Sequence, residues 1–193
     1  MVTATRVLTV ALVSGVVAWG AWPSVRAQAG DQTTAAVERA GRAMQALQAA
    51  LITRLGQAME QGGPRRAIDV CRTEAQSITA KVAAEQGIAI GRTSHRLRSP
   101  VNAPPEWAAA LVAAAAGRKA ADVEPQVIDL GDRVGVLRPL GTAELCTRCH
   151  GDAEKVKATI GDLLAASYPT DQAVGFAVGD LRGWAWAEVP KGR

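Results

Sequence analysis

Cys146, Cys149 and His150, in the run Cys146-Thr147-Arg148-Cys149-His150, are the residues of this 193-residue chain whose types and spacing point to specific chemistry. Two thiols three residues apart on a helical turn can reach both vinyl groups of one porphyrin. The next residue then places an imidazole beneath the iron, which makes C-x-x-C-H the attachment pattern of a c-type haem. The alternatives are a redox-active thiol pair or half of a zinc site. A zinc site wants four ligands, and the chain has no second C-x-x-C; a thioredoxin-like pair wants a βαβ context near the N-terminus, which is absent. The spacing therefore predicts one covalent haem c, with thioether bonds at Cys146 and Cys149 and His150 as an iron ligand.

A low-spin iron needs a ligand on its other side, and the sources are Cys71, His95, Met44 and Met59. Both methionines lie on an apolar helix stripe, where they read as core filler. His95, between Ser94 and Arg96, reads as a surface histidine. Cys71 falls in the middle of an amphipathic helix, on its buried face, which by itself suggests a small apolar core residue. A free thiol facing ferric iron, however, binds it as thiolate, so all four remain candidates on the residues alone.

The N-terminal stretch predicts export. Residues 1–29 run from a start bearing Arg6, through the apolar VLTVALVSGVVAWGAW, to a small-residue end with cleavage after Ala27 or Ala29. That is the pattern of a secretory signal peptide, and the apolar run is too short to span a bilayer before Pro23 ends it. Periplasmic or secreted localisation follows as an expectation, with no membrane association beyond export. Residues 30–193 are then one haem-binding domain, large enough to bury a core without disulfides. The charge of +4 falls to +2 once Arg6 and Arg26 leave, and the remaining basic residues are scattered. Nucleic-acid binding is not expected.

The elements that must position these groups are legible from periodicity. Val37, Ala40, Met44, Leu47, Leu51 and Leu55 form one helical stripe over residues 32–61. Gly62-Gly63-Pro64 stops that helix, and Ala67, Cys71, Ala75, Ile78 and Val82 predict a second one ending near Gly87, the two forming a hairpin. Residues 88–105 read as an ordered loop. An alanine-rich helix over 105–118 precedes two short strands, QVIDLG and RVGVLRPL, joined at Gly131-Asp132. A helix is expected over 153–166, then a last hairpin turning at Gly179-Asp180. In its second strand Trp184, Trp186 and Glu188 share one face, and Ala185, Ala187 and Val189 the other. The fold class is α+β, helices mostly early and an antiparallel sheet late.

Four blocks in this order resemble a family of single-haem c-type proteins with a PAS-like fold. They are AIDVC (67–71), IGRTSHRLRSPVNAPPEW (90–107), LCTRCHG (145–151) and YPTDQAVGFAVGDLRGWAWAEV (168–189). The chain departs from the family's pattern at Ser99 and at Ala108. The resemblance implies a PAS-like fold in which an N-terminal helical hairpin and an antiparallel sheet carry one haem c. It implies His150 as the proximal iron ligand and Cys71 as the distal one. One or more of Arg92, Arg96 and Arg98 is a candidate partner for a haem propionate, whereas the Arg92–Ser94, Pro100–Asn102 and Gly179–Gly183 blocks read as loop and turn chemistry.

Two firm axial ligands leave no open iron position, so a non-enzymatic role is expected: low-potential electron transfer or redox handling, with a redox partner protein. A thiolate stabilises ferric iron, and axial ligands move haem potentials over a wide range. The alternative is a haem-based sensor of redox state or of nitric oxide or carbon monoxide, signalling to a separate partner. A weak peroxidase-like activity would have to draw on His95.

Overall fold

The computed structural model describes residues 23–192; the leader assigned to 1–29 lies, over 1–22, outside the described residues. The first element, α1 (Pro23–Thr73), is two helical limbs joined at a sharp break. Gly63 adopts φ 63°, a conformation that side chains resist, and Pro64 opens the second limb where its missing N–H costs nothing. The limbs fold back on each other, with Ala58 and Leu55 packing on Ala67 and Val70. The second expected helix is itself divided. It ends at Thr73, and α2 (Ala75–Gln86) follows after Glu74, whose carboxylate takes two 2.7 Å bonds from Arg54 of the first limb.

The sheet has four strands in the order β1-β4-β3-β2, every pair antiparallel. They are β1 (Ala89–Thr93), β2 (Gln126–Asp129), β3 (Arg133–Gly141) and β4 (Leu181–Pro190). The β2–β3 hairpin turns where expected, with Gly131 at φ 87°. Strand β1 was not expected: residues 89–93 lie in the stretch that reads as loop. Ile88 and Ile90 nevertheless enter the core, and β1 pairs along β4 from Ala89–Glu188 to Thr93–Trp184. The last hairpin does not form. β4 has β1 and β3 as its partners, and residues 173–178 run as non-strand chain against the C-x-x-C-H segment.

The alternation along β4 divides the core in two. Ala185, Ala187 and Val189 pack with Val134, Val136 and Ile90 against Ala40, Ala43, Met44 and Leu47 of α1. On the opposite face Trp184, with Leu137 and Leu181, packs against Ala108 and Val112 of α3 (Glu106–Ala114). The expected α+β class, a helical hairpin with an antiparallel sheet, is what the chain forms. No helix among the described residues is long and apolar enough to cross a membrane. Trp184 is 1% exposed at the centre of its layer. Trp184→Ala should therefore cost about 3–5 kcal/mol of stability, read as a lower midpoint in urea unfolding.

Two helices complete the frame: α4 (Glu144–His150) and α5 (Ala153–Ser167). Asp152 caps α5 by accepting the Lys155 N–H at 3.0 Å. Val156, Ile160 and Leu164 of α5 close with Tyr168 on Ile68, while Arg65 makes two 2.9 Å bonds to Asp162. These contacts bring the second limb of α1, which carries Cys71, beside the helix pair that carries Cys146, Cys149 and His150.

Candidate functional site

Cys146, Cys149 and His150 occupy a single short helix, so the two thiols lie about one turn apart on α4. The chain leaves α4 through Gly151, where a Cβ would sit 2.4 Å from the Thr147 carbonyl oxygen. A side chain there would push the histidine end of the motif out of place. His150 Nδ1 lies 2.7 Å from the Ala173 carbonyl oxygen. A carbonyl only accepts, so Nδ1 carries the hydrogen and the lone pair is on Nε2. Burial, then the positive charges of Arg182 and Arg98, push the His150 pKa well below its ordinary 6.5. The result is a neutral imidazole oriented by a backbone carbonyl, the arrangement that metal-binding histidines use.

Residues 168–176 form the bracket that holds this helix end. Phe176 N–H donates to the His150 carbonyl at 2.9 Å, and Gly175 N–H to that of Gly151 at 2.6 Å. Those amides are engaged by α4, which is why 173–178 does not pair with β4 as a hairpin. Asp171 receives the Ala173 N–H at 2.8 Å and Arg98 Nε at 3.1 Å. Arg98 Nη2 in turn donates to the carbonyls of Cys149 at 2.6 Å and Ala173 at 3.3 Å. One buried ion pair thus ties the block around residue 98 to both Cys149 of the C-x-x-C-H run and the carbonyl that orients His150.

The same region gathers more positive charge than it neutralises. Arg92, Arg98 and Arg182 all act on His150, and the carboxylate paired among them is Asp171. Arg182 donates to Ser94 Oγ at 3.1 Å and forms no ion pair among the described residues; burial, followed by Arg98 and Arg92, lowers its pKa to about 10, with Asp171 opposing the shift. Arg96 donates to the Val174 carbonyl. Its guanidinium and that of Arg182 lie 4.1 and 5.0 Å from the Phe176 ring centre. His95 is half-buried rather than a surface residue: it meets Phe176 edge-on at 5.8 Å, and among the described residues its Nδ1 has no hydrogen-bond partner.

Cys71 is exposed, not on the buried face that its helix stripe suggested. Ala67 and Val70 pack towards the first limb of α1 and Ile68 towards α5, which leaves Cys71 over the gap between them. The thiol is open to solvent on one side and walled by protein on the others. Burial accordingly pushes its pKa up, opposed by the charges of Arg92 and Arg98. Cys149 and Tyr168 both feel the Cys71 charge, so the three stand in one neighbourhood. Met44 is buried between α1 and the sheet, and Met59 packs with Leu55 and Ala58. Both are packing residues. Among the described residues no three of His, Cys, Asp and Glu converge as a metal cage.

A protein-family model described as Tll0287-like matches residues 25–190. The chain belongs to the Tll0287-like family. The matched span encloses all four blocks from which the resemblance was read, and that reading is borne out. The chain is also similar to a solved structure, "Crystal structure of the cyanobacterial heme-protein Tll0287", at 20% identity and a TM-score of 0.61. The match covers 81% of this chain and 96% of that one and shows a shared fold. The curated proteins contain no match.

In this Tll0287-like chain, sequence reasoning missed Asp171, the Ala173 carbonyl and Arg182. Arg182 sits in a block that reads as turn chemistry, yet it is the second residue of β4 and its charge acts on His150. Its one sequence signal was the YPTDQAVGFAVGDLRG block itself, whose polar residues exceed what a turn requires. Of the three arginines expected near a propionate, Arg98 is held by Asp171 and two carbonyls and Arg96 lies over Phe176, while among the described residues Arg92 has neither kind of partner.

Proposed function

We propose that this protein binds one haem c, attached through Cys146 and Cys149, with iron held between His150 and Cys71, and that it handles electrons at low potential. The family relation supports a haem protein. The observation that carries the finer reading is the His150 Nδ1–Ala173 bond, which leaves a neutral Nε2 lone pair within the C-x-x-C-H helix. The residues fit the group in two further respects. Uncompensated guanidinium charge at Arg92 and Arg182 suits the carboxylates of a porphyrin, and Cys71 shares electrostatic surroundings with Cys149. Haem would supply a one-electron couple. The protein's part is to orient His150, to present an anionic sulfur and to exclude other ligands. Thiolate favours the ferric state, which supports a low potential.

One observation favours a sensing role as the second reading. Burial raises the Cys71 pKa, so a sulfur that has lost the pull of ferric iron tends to take up a proton and leave. An opened position could then admit carbon monoxide or nitric oxide, with the signal passing to a separate partner. A peroxidase-like role finds little support, because His95 is packed against Phe176.

Haem attachment tests the central reading. Haem stain should follow the wild-type polypeptide through denaturing electrophoresis, and Cys146→Ala with Cys149→Ala should abolish it. Extraction of wild-type haem by acid-acetone would overturn the covalent reading. Periplasmic localisation and a redox partner protein belong to the same proposal. N-terminal sequencing of the exported protein should begin at Gly30 or Gln28. An intact Met1 in the membrane fraction would mean that residues 1–29 are an anchor.

A further inference from the structure

We infer that Arg182, aimed off the sheet by a β-bulge and set beside Arg96 at the Phe176 ring, is the anchor for one propionate carboxylate of the haem. The inference rests on the haem reading above and deepens it by assigning a residue outside the three that the sequence nominated. Along the β3–β4 ladder Leu140 pairs with Gly183 and Gly141 with Leu181, so Arg182 is the extra residue of a bulge. A bulge takes a side chain out of the strand's strict alternation and re-aims it. This one is pinned. Ser94 Oγ donates to the Arg182 carbonyl at 2.7 Å and accepts from Arg182 Nη1 at 3.1 Å. Next to it, a Cβ on Gly183 would stand 2.3 Å from the Thr93 carbonyl oxygen, so β1 and the bulge hold each other in place.

The guanidinium so aimed lies 5.0 Å from the centre of the Phe176 ring, and that of Arg96 lies 4.1 Å from it. Phe176 belongs to the bracket on His150, because its N–H donates to the His150 carbonyl at 2.9 Å. Two positive charges thus share one ring at the histidine end of α4. The carboxylates nearby are taken. Asp171 holds Arg98 and the Ala173 N–H, and Asp180 holds Lys119 at 2.5 Å and the Ala177 N–H at 2.7 Å. Among the described residues neither Arg96 nor Arg182 forms an ion pair. A cation partly withdrawn from water without a counter-charge is costly. The two arginines differ in what they leave free. Arg96 is turned inward: it donates to the Val174 carbonyl, and its Nε is sealed from solvent with no acceptor among the described residues. Arg182 commits Nη1, to Ser94 Oγ and at 3.5 Å to the Arg96 carbonyl. Its Nε and Nη2 meet no acceptor among the described residues, and neither is sealed from solvent. Those two groups form one edge of a planar fork, which a carboxylate matches with two parallel bonds. A haem brings propionate carboxylates of this kind, and Arg96 adds its charge beside them.

The test uses the exported, haem-loaded full chain with Arg182→Leu and Arg182→Lys. In resonance Raman spectra of the Leu variant one propionate-bending band should move to lower frequency, because a carboxylate freed from its hydrogen bonds bends more easily. The spin-state marker bands should stay where they are, since the His150–Ala173 bond is untouched. Loss of a nearby positive charge should shift the oxidised-to-reduced ratio at a fixed potential about threefold towards oxidised. Arg182→Lys should restore the ratio but not the band, because lysine keeps the charge and lacks the fork. Inorganic phosphate added to the wild type should change neither readout, the site being filled. An unmoved propionate band in Arg182→Leu would overturn the inference. If phosphate then shifts the wild-type ratio but not that of Arg182→Leu, the cluster takes a free anion instead; if it shifts neither, Arg182 is structural. Should Arg182→Leu fail to accumulate, Arg182→Met removes charge and fork at similar length and carries the same comparison. A wild-type chain without haem would overturn the haem reading, and the inference with it.

Discussion

Replacing Cys71 by serine should leave the haem attached to the chain, raise its reduction potential and open the iron to water or carbon monoxide. Attachment persists because, in the arrangement proposed above, the thioether bonds would form on α4, whereas Cys71 lies on the second limb of α1. The potential rises because serine would remove the anionic ligand that the proposed ligation assigns to Cys71. Axial ligands move haem potentials over about 0.8 V, so the loss of a thiolate should account for a rise on the order of 0.1 V or more. In the proposed ligation the iron would open because, among the described residues, none of the other candidate ligands is placed to replace the sulfur. Met44 and Met59 are engaged in packing, and His95 lies against Phe176. His95→Ala should accordingly leave the ferric spectrum and the potential nearly unchanged. Optical spectra of both oxidation states, with and without carbon monoxide, together with a redox titration, decide the matter. If Cys71→Ser changes nothing while His95→Ala alters both spectrum and potential, the ligation is by two histidines and the low-potential argument fails.

The parts of the site that the sequence made legible are those encoded within a few residues. C-x-x-C-H is local, and the structure puts it on one helix; the alternating small and aromatic residues of β4 are local, and they face α1 and α3 as the pattern implies. The break at Gly62-Gly63-Pro64 is also local. What escaped depends on segments that meet only in the fold. Arg98 finds Asp171 from 73 residues away, and Arg182 finds Ser94 from 88. Strand β1 is five residues containing a glycine and an arginine, too short and too polar for its period to stand out. The absent final hairpin has the same origin. The pattern of residues 173–178 suits a strand, but its amides satisfy the carbonyls at the end of α4. Cys71 shows the limit of a helical stripe, since a helix packed on two sides buries residues flanking one that it leaves open.

Asp171→Asn should be the most damaging single change in the bracket that holds His150. The Arg98 and Asp171 side chains are 9% and 10% exposed, and their pair is the point where the residue-98 block, α4 and residues 171–173 meet. Removing one partner of a buried pair typically costs about 3–5 kcal/mol, because the remaining charge stays unpaired in a poorly solvated place. Here the remaining charge is Arg98, which already faces Arg182 and meets no second carboxylate. The asparagine should therefore lower the urea midpoint by a large margin. Arg98→Met removes the opposite partner and leaves Asp171 unpaired, so it should be costly as well. The double variant should lose clearly less than the sum of the two, which is the mark of direct coupling. The bracket also predicts where the damage is felt. Asp171 positions the Ala173 amide, and the Ala173 carbonyl orients His150 Nδ1, so Asp171→Asn should broaden or shift the histidine-sensitive bands of the haem spectrum. Additive losses in the cycle, with an unaltered spectrum, would show that Arg98 and Asp171 pack side by side without governing the orientation of His150.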